Sequence, residues 1–80
     1  MRSFQLAAIV PDYDIAAELA KGIRLFDKTA DIHIREGAGV GGAWHIAADF
    51  DLQNPFIRYG DLKILFKNSV EASGGTVLAN

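Results

Sequence analysis

The sequence predicts an α+β sandwich in which a four-stranded antiparallel sheet carries two helices on one face. Three observations predict it. Several short segments alternate apolar and polar residues, two longer segments repeat apolar residues at helical spacing, and their order along the chain is β-α-β-β-α-β. With 80 residues, half of them hydrophobic and 22% charged, residues 1–80 are expected to form a single small domain.

Phe4 to Val10 is short and apolar and stops at Pro11, which cannot donate to a β-ladder. Phe4, Leu6, Ala8 and Val10 would share one face of that strand. Asp12 or Asp14 then offers a helix N-cap, and Ile15, Leu19, Ile23 and Phe26 recur at helical spacing. A helix over about residues 13–27 follows, with Lys21, Arg24 and Lys28 on another stripe. Gly22 inside it costs about 1 kcal/mol relative to Ala, which predicts a close neighbour there.

Asp31 to Glu36 alternates, with Ile32 and Ile34 on one side and Asp31, His33 and Arg35 on the other. Past the glycine-rich stretch 37–42, Ala43 to Phe50 alternates again. Trp44, Ile46, Ala48 and Phe50 face one way; Ala43, His45, Ala47 and Asp49 face the other. The two strands read as a hairpin. Asn54-Pro55 and Gly60-Asp61 are alternative starts for the second helix, whose stripe is Leu62, Leu65, Phe66, Ser69 and Val70. Gly74-Gly75 supplies a left-handed C-cap, and Thr76 to Leu78 forms a last short strand.

With right-handed crossovers this order is that of the ferredoxin-like sandwich, with the first and third strands central and one sheet face uncovered. The expected core is Leu6, Ala8, Leu19, Ile23, Phe26, Ile32, Ile34, Trp44, Ile46, Phe50, Leu65, Phe66 and Val77.

The stretch His45-Ile46-Ala47-Ala48-Asp49-Phe50, the helix after it, and Glu71-Ala72-Ser73-Gly74-Gly75-Thr76-Val77-Leu78 resemble the amino-terminal segment of prokaryotic S-adenosylmethionine decarboxylases. The resemblance spans residues 45–78 and implies a related fold unit. That family cleaves itself at a Glu-Ser bond to make a pyruvoyl group and uses a catalytic Cys. Here Ser3, Ser69 and Ser73 are the only serines, none follows a Glu, and there is no Cys. No catalytic residue carries over.

The absence of cysteine excludes disulfides, thiolate metal sites and cysteine nucleophiles. Eight Lys+Arg against ten Asp+Glu give a net charge of -2, which argues against a strongly basic nucleic-acid binder. The apolar runs are too short to span a bilayer and the start lacks a signal-peptide core, so a cytoplasmic location is expected.

Four constellations can carry chemistry. Gly37 to Gly42 matches G-x-G-x-x-G in form, but a strand follows where a dinucleotide fold needs a helix. The stretch reads as a hairpin tip, with anion binding or a partner contact as its functional alternatives. His33 and His45 lie on adjacent strands as expected near-neighbours, with Asp49 on the same face. Two imidazoles and a carboxylate suit zinc or acid/base work, yet a solvated polar face is the simpler reading, and no metal is expected. Lys21, Arg24, Lys28, Lys63 and Lys67 lack interleaved aromatics and read as a solvated surface. Phe56, Ile57 and Tyr59 either plug one end of the core or, with the aromatics beside Arg58, anchor a partner.

The expected function is that of a small non-enzymatic binding or regulatory module acting through protein contacts, as an oligomer or an accessory or inhibitor-type subunit, with no cofactor and no catalytic residue. The candidate surface is the uncovered sheet face, Ala7, His33, Arg35, His45, Ala47 and Asp49, with Phe56, Arg58 and Tyr59 as a second candidate. The alternative is a small-molecule-binding half-unit akin to the decarboxylases without their pyruvoyl chemistry.

Overall fold

A computed structural model describes residues 3–36, 43–51 and 58–78. The elements are β1 (Ser3–Val10), α1 (Tyr13–Phe26), β2 (Asp31–Glu36), β3 (Trp44–Asp51), α2 (Tyr59–Ala72) and β4 (Thr76–Val77). The strands form one antiparallel sheet in the order β2-β3-β1-β4, so β1 and β3 are the central pair and β2 and β4 the edges. The expected α+β architecture is present: both helices contribute to one core with the same face of the sheet.

Period-two alternation sets which residues enter that core. Leu6, Ala8 and Val10 of β1 and Ile46, Ala48 and Phe50 of β3 are buried. The register pairs Leu6 with Ala48 and Ala8 with Ile46, so apolar residues stand opposite one another on the covered side. Three small or branched residues of α1, Ala16, Ala20 and Ile23, and three of α2, Leu62, Phe66 and Val70, complete it. The alanines let α1 approach the sheet closely, a role that hydrophobic weight alone does not reveal.

Each helix is ended by recognisable chemistry. The Asp12 side chain accepts from the Ile15 amide at 2.9 Å, which selects Asp12 over Asp14 as the cap of α1. Helix α2 begins at Tyr59, nearer the second of its two expected starts, and its cap residue Arg58 makes no side-chain capping bond. The Asn54-Pro55 alternative lies outside the described residues. At the other end Gly74 takes φ +83°, the Gly74 amide donates to the Glu71 carbonyl at 3.1 Å, and the Gly75 amide donates to the Val70 carbonyl at 2.9 Å. This is a Schellman ending, and it supports the glycine pair as a left-handed cap. Gly75 has a further reason to be glycine: a Cβ there would stand 2.6 Å from the Ile9 carbonyl oxygen.

The structure corrects three expectations. Phe26 and Leu65 are not core residues, being 38% and 50% exposed; of the expected α2 stripe Leu62, Phe66 and Val70 are buried, while Leu65 and Ser69 are exposed. A Cβ at Gly22 would meet nothing within 4 Å, so no close neighbour explains that glycine. Strand β3 begins at Trp44 rather than Ala43, and β4 ends at Val77, although the Leu78 amide still reaches the Ala7 carbonyl. Leu19, Ile32, Ile34, Trp44 and Val77 are half-buried against the core.

Candidate functional site

On β1, β2 and β3 the residues that alternate with the core ones point away from both helices. The register arranges them in rows across the sheet. Asp31, Asp49 and Gln5 form one row, and His33, Ala47 and Ala7 the next. Arg35, His45 and Ile9 form the third, which continues to Thr76 of β4. Ala7, His45 and Ala47 are half-buried, and Ile9 is 36% exposed. Gln5, His33, Arg35, His45, Ala47 and Asp49 line one depression of about 610 Å³, with Ile32 and Ile34 also at its wall.

The six sheet-face residues expected from the sequence are therefore brought onto one surface, Ala7 as the cross-strand partner of Ala47. The histidines, however, do not stand opposite one another. His33 pairs with Ala47, and His45 with Arg35, which leaves the two imidazoles diagonal. The tighter grouping replaces His45 by Asp31: one ligand atom each from Asp31, His33 and Asp49 lie within 4.8 Å of one another. His33 Nε2 stands 3.2 Å from Asp31 Oδ2, and both side chains are exposed. This set has the donor types for a divalent cation, and its exposure equally suits a solvated ion pair.

Charge is polarised along this face. Asp31 and Asp49 are directly opposed at one end, where like charges across a strand pair repel. Arg35 and His45 are opposed at the other. Among the described residues, neither Arg35 nor Asp49 has an ion-pair partner.

The second expected surface is divided. Phe56, Ile57 and residues 37–42 lie outside the described residues. Arg58 is exposed and pairs with Asp61, Nε to Oδ2 at 2.9 Å. Tyr59 turns inward: its ring packs edge-on to Phe4 and Phe50, at centroid distances of 5.9 and 5.6 Å. Its hydroxyl lies 3.1 Å from both Asp27 Oδ2 and the Asp51 carbonyl oxygen. Tyr59 thus plugs one end of the core.

Asp27, which no sequence pattern singles out as a site residue, is the buried charged group among the described residues, at 5% exposure. Its carboxylate accepts from the Thr29 amide at 2.9 Å, from the Thr29 hydroxyl, and from Tyr59. Burial alone would raise its pKa; the Thr29 and Tyr59 hydrogen bonds outweigh that and hold the carboxyl below its ordinary value. Burial pushes the Tyr59 phenol up, and the Asp27 hydrogen bond and the nearby Asp27 and Asp51 charges add to it. The available signal is Asp27-Lys28-Thr29 directly after a helix, a spacing suited to an Asx turn.

A groove of about 370 Å³ lies between the start of α1 and the end of α2, lined by Ile15 and Leu19 with Asp12, Glu18, Ser69 and Ser73 among others. Its polar groups include the α1 cap and the Ser73 hydroxyl, which donates to the Ser69 carbonyl, so part of its chemistry already serves helix ends. Lys21, Arg24, Lys28, Lys63 and Lys67 are all exposed. No described helix is long and apolar enough to cross a membrane. No protein-family model, curated protein or solved structure matches the chain.

Proposed function

We propose that this chain is a small non-enzymatic binding module that docks a folded protein surface on the side of its sheet opposite the helices. The observation that carries the reading is the composition of that side in rows. Small Ala7 and Ala47 with Ile9 make a mildly apolar centre, and Asp31, Asp49, His33 and Arg35 make a charged border. An apolar centre with a polar rim is the usual anatomy of an interface, and small residues let an opposing surface come close. We take the sandwich as ferredoxin-like, a reading supported by the antiparallel order β2-β3-β1-β4 with β1 and β3 central. A cysteine-free composition is compatible with a cytoplasmic setting.

The test is Ala47→Glu. A carboxylate in the middle of the face should weaken association at least tenfold, as measured by sedimentation or by titration against a captured partner, while circular dichroism and melting stay near wild type. Unchanged association would move the interface elsewhere, with the helix-layer apolar residues Leu25, Ile64 and Leu65 as the next surface. The alternative, a half-unit related to the S-adenosylmethionine decarboxylases, draws its support from the depression on the same face. Saturable binding of an adenosyl ligand, lost in Asp49→Ala, would favour it.

A further inference from the structure

Resting on the reading of the open face as an interface, we infer that its occupant is a second copy of this chain, related by a two-fold axis that runs parallel to the sheet plane along the row His33-Ala47-Ala7. The argument comes from the order of charges. Along β2 the outward residues run Asp31, His33, Arg35, and along β3 they run Asp49, Ala47, His45. Both strands therefore pass from anionic to cationic or titratable in the same direction across the sheet.

Two sheets can meet face to face only if the symmetry operation inverts the direction each face points. A two-fold axis parallel to the sheet plane does this. If the axis runs across the strands it also reverses the strand direction while keeping each strand over its own counterpart. The Asp31 and Asp49 row of one copy then lies over the Arg35 and His45 row of the other, and the axis brings this about twice. An isologous contact is self-complementary in just this sense. An axis along the strands would instead leave Asp31 and Asp49 in the same row as their copies.

Two further facts agree with this placement. Arg35 and Asp49 have no ion-pair partner within the described residues of their own chain, so each has capacity for one from outside. On the axis itself Ala47, Ala7 and, at the β2 edge, His33 meet their own copies, and the small side chains of the two alanines allow the close approach that aligned sheet packing requires. Four short strands offer less area than a standard interface, so the dimer is a weak one that forms at micromolar or higher concentration.

The experiment is a charge exchange followed by sedimentation equilibrium at chain concentrations up to about 1 mM. In the Arg35→Asp variant a carboxylate at position 35 faces Asp31 of the other copy. In the Asp31→Arg variant a guanidinium at position 31 faces Arg35 of the other copy. Each variant alone should dimerise at least tenfold more weakly than wild type. An equimolar mixture restores an opposite-charge pair at both contacts and should form a heterodimer within about threefold of the wild-type constant. A monomeric wild type overturns the second-copy assignment and leaves the open face to a different protein. A mixture that stays monomeric, while Ala47→Glu does dissociate the wild type, overturns the axis and spares the interface. A dimer that survives Ala47→Glu overturns both.

Discussion

Asp27 and Asp49 are the same residue put to opposite use. Asp27 lies just past α1, is 5% exposed and accepts hydrogen bonds from Thr29 twice and from Tyr59 once. Asp49 stands exposed on β3 opposite Asp31, and its carboxylate has no hydrogen-bond or ion-pair partner among the described residues. A carboxylate has two oxygens with room for several donors. At Asp27 that capacity is filled from within, so the group holds the end of α1 to the start of α2. At Asp49 it is left open to solvent or to another molecule. The same contrast separates the two sides of the sheet, since Ile46 and Ala48 are 0% exposed while their neighbours in sequence face outward.

The contrast is broken most easily in the core. Ile46→Ala should cost roughly 2–5 kcal/mol in chemical denaturation, because Ile46 is wholly enclosed between sheet and helices. Ala47→Glu, one residue away, should leave the same transition nearly in place. Equal losses from the two would mean that the strand is not one-sided.

Next in size is Asp27→Ala, which removes the acceptor of the Thr29 amide and hydroxyl and leaves the Tyr59 hydroxyl with the Asp51 carbonyl alone, and should cost about 1–3 kcal/mol. Asp49→Ala should change stability by less than about 0.5 kcal/mol, in either direction, because it also relieves the repulsion from Asp31. Similar melting curves for both would remove the distinction between a filled and an open carboxylate.

Acidification tests the same point. The folded-state pKa of Asp27 is depressed, so in the pH range of carboxylate titration the unfolded chain binds more protons than the folded one, and stability rises with pH. This contribution is complete above the ordinary aspartate value of about 4 and fades as pH falls through the lower folded value. Asp27→Asn should flatten that part of a stability-against-pH profile. Identical acid slopes for variant and wild type would assign the slope to other carboxylates.

Two smaller effects sharpen the comparison. Gly22→Ala should raise stability by up to about 1 kcal/mol, because the exposed helical site has open space for a methyl group. Treatment with a chelator should leave the melting temperature unchanged, because Asp31, His33 and Asp49 are exposed and support no core residue. A drop reversed by zinc would instead make that trio part of the fold.

How much of this is legible in the sequence depends on the element. The strands are plain because a sheet covered on one side writes its burial as strict alternation, and 31–36 and 44–50 alternate. Helix α1 is plain as an element, since Ile15, Leu19, Ile23 and Phe26 recur at helical spacing. Its buried line is offset from that stripe: Ala16, Ala20 and Ile23 are buried, Ile15 and Leu19 half-buried, and Phe26 is 38% exposed. The buried line of α2 is not plain either. The expected stripe Leu62, Leu65, Phe66, Ser69 and Val70 is too wide: Leu62, Phe66 and Val70, four residues apart, are buried, while Leu65 and Ser69 beside them are exposed. Ala16 and Ala20 escape notice because small side chains carry little hydrophobic weight in a helical stripe, whereas Ala48, like Ala8, lies on the face that strand alternation turns to the core. The face residues follow from alternation, whereas which of them meet follows from register. The pairing of His33 with Ala47 is what separates the histidines and brings Asp31 beside Asp49. Asp27 stays hidden because an aspartate after a helix reads as solvent-facing until Tyr59, 32 residues later, is seen to reach it.

Edge strand β2 has a consequence for how assembly stops. Among the described residues its outer hydrogen-bonding side has no strand beside it, a position from which sheets can grow without limit by adding strands. Asp31, His33, Arg35 and Glu36 occupy four of its six positions and are all exposed. An incoming copy would have to bring its own charges alongside them and strip their hydration, so lateral polymerisation into fibres is opposed at that border. Contact through the flat of the sheet uses up the surface that makes it. The face-to-face pair inferred above would close on itself in this way, so growth through that face would end at two copies and would not run on into stacks.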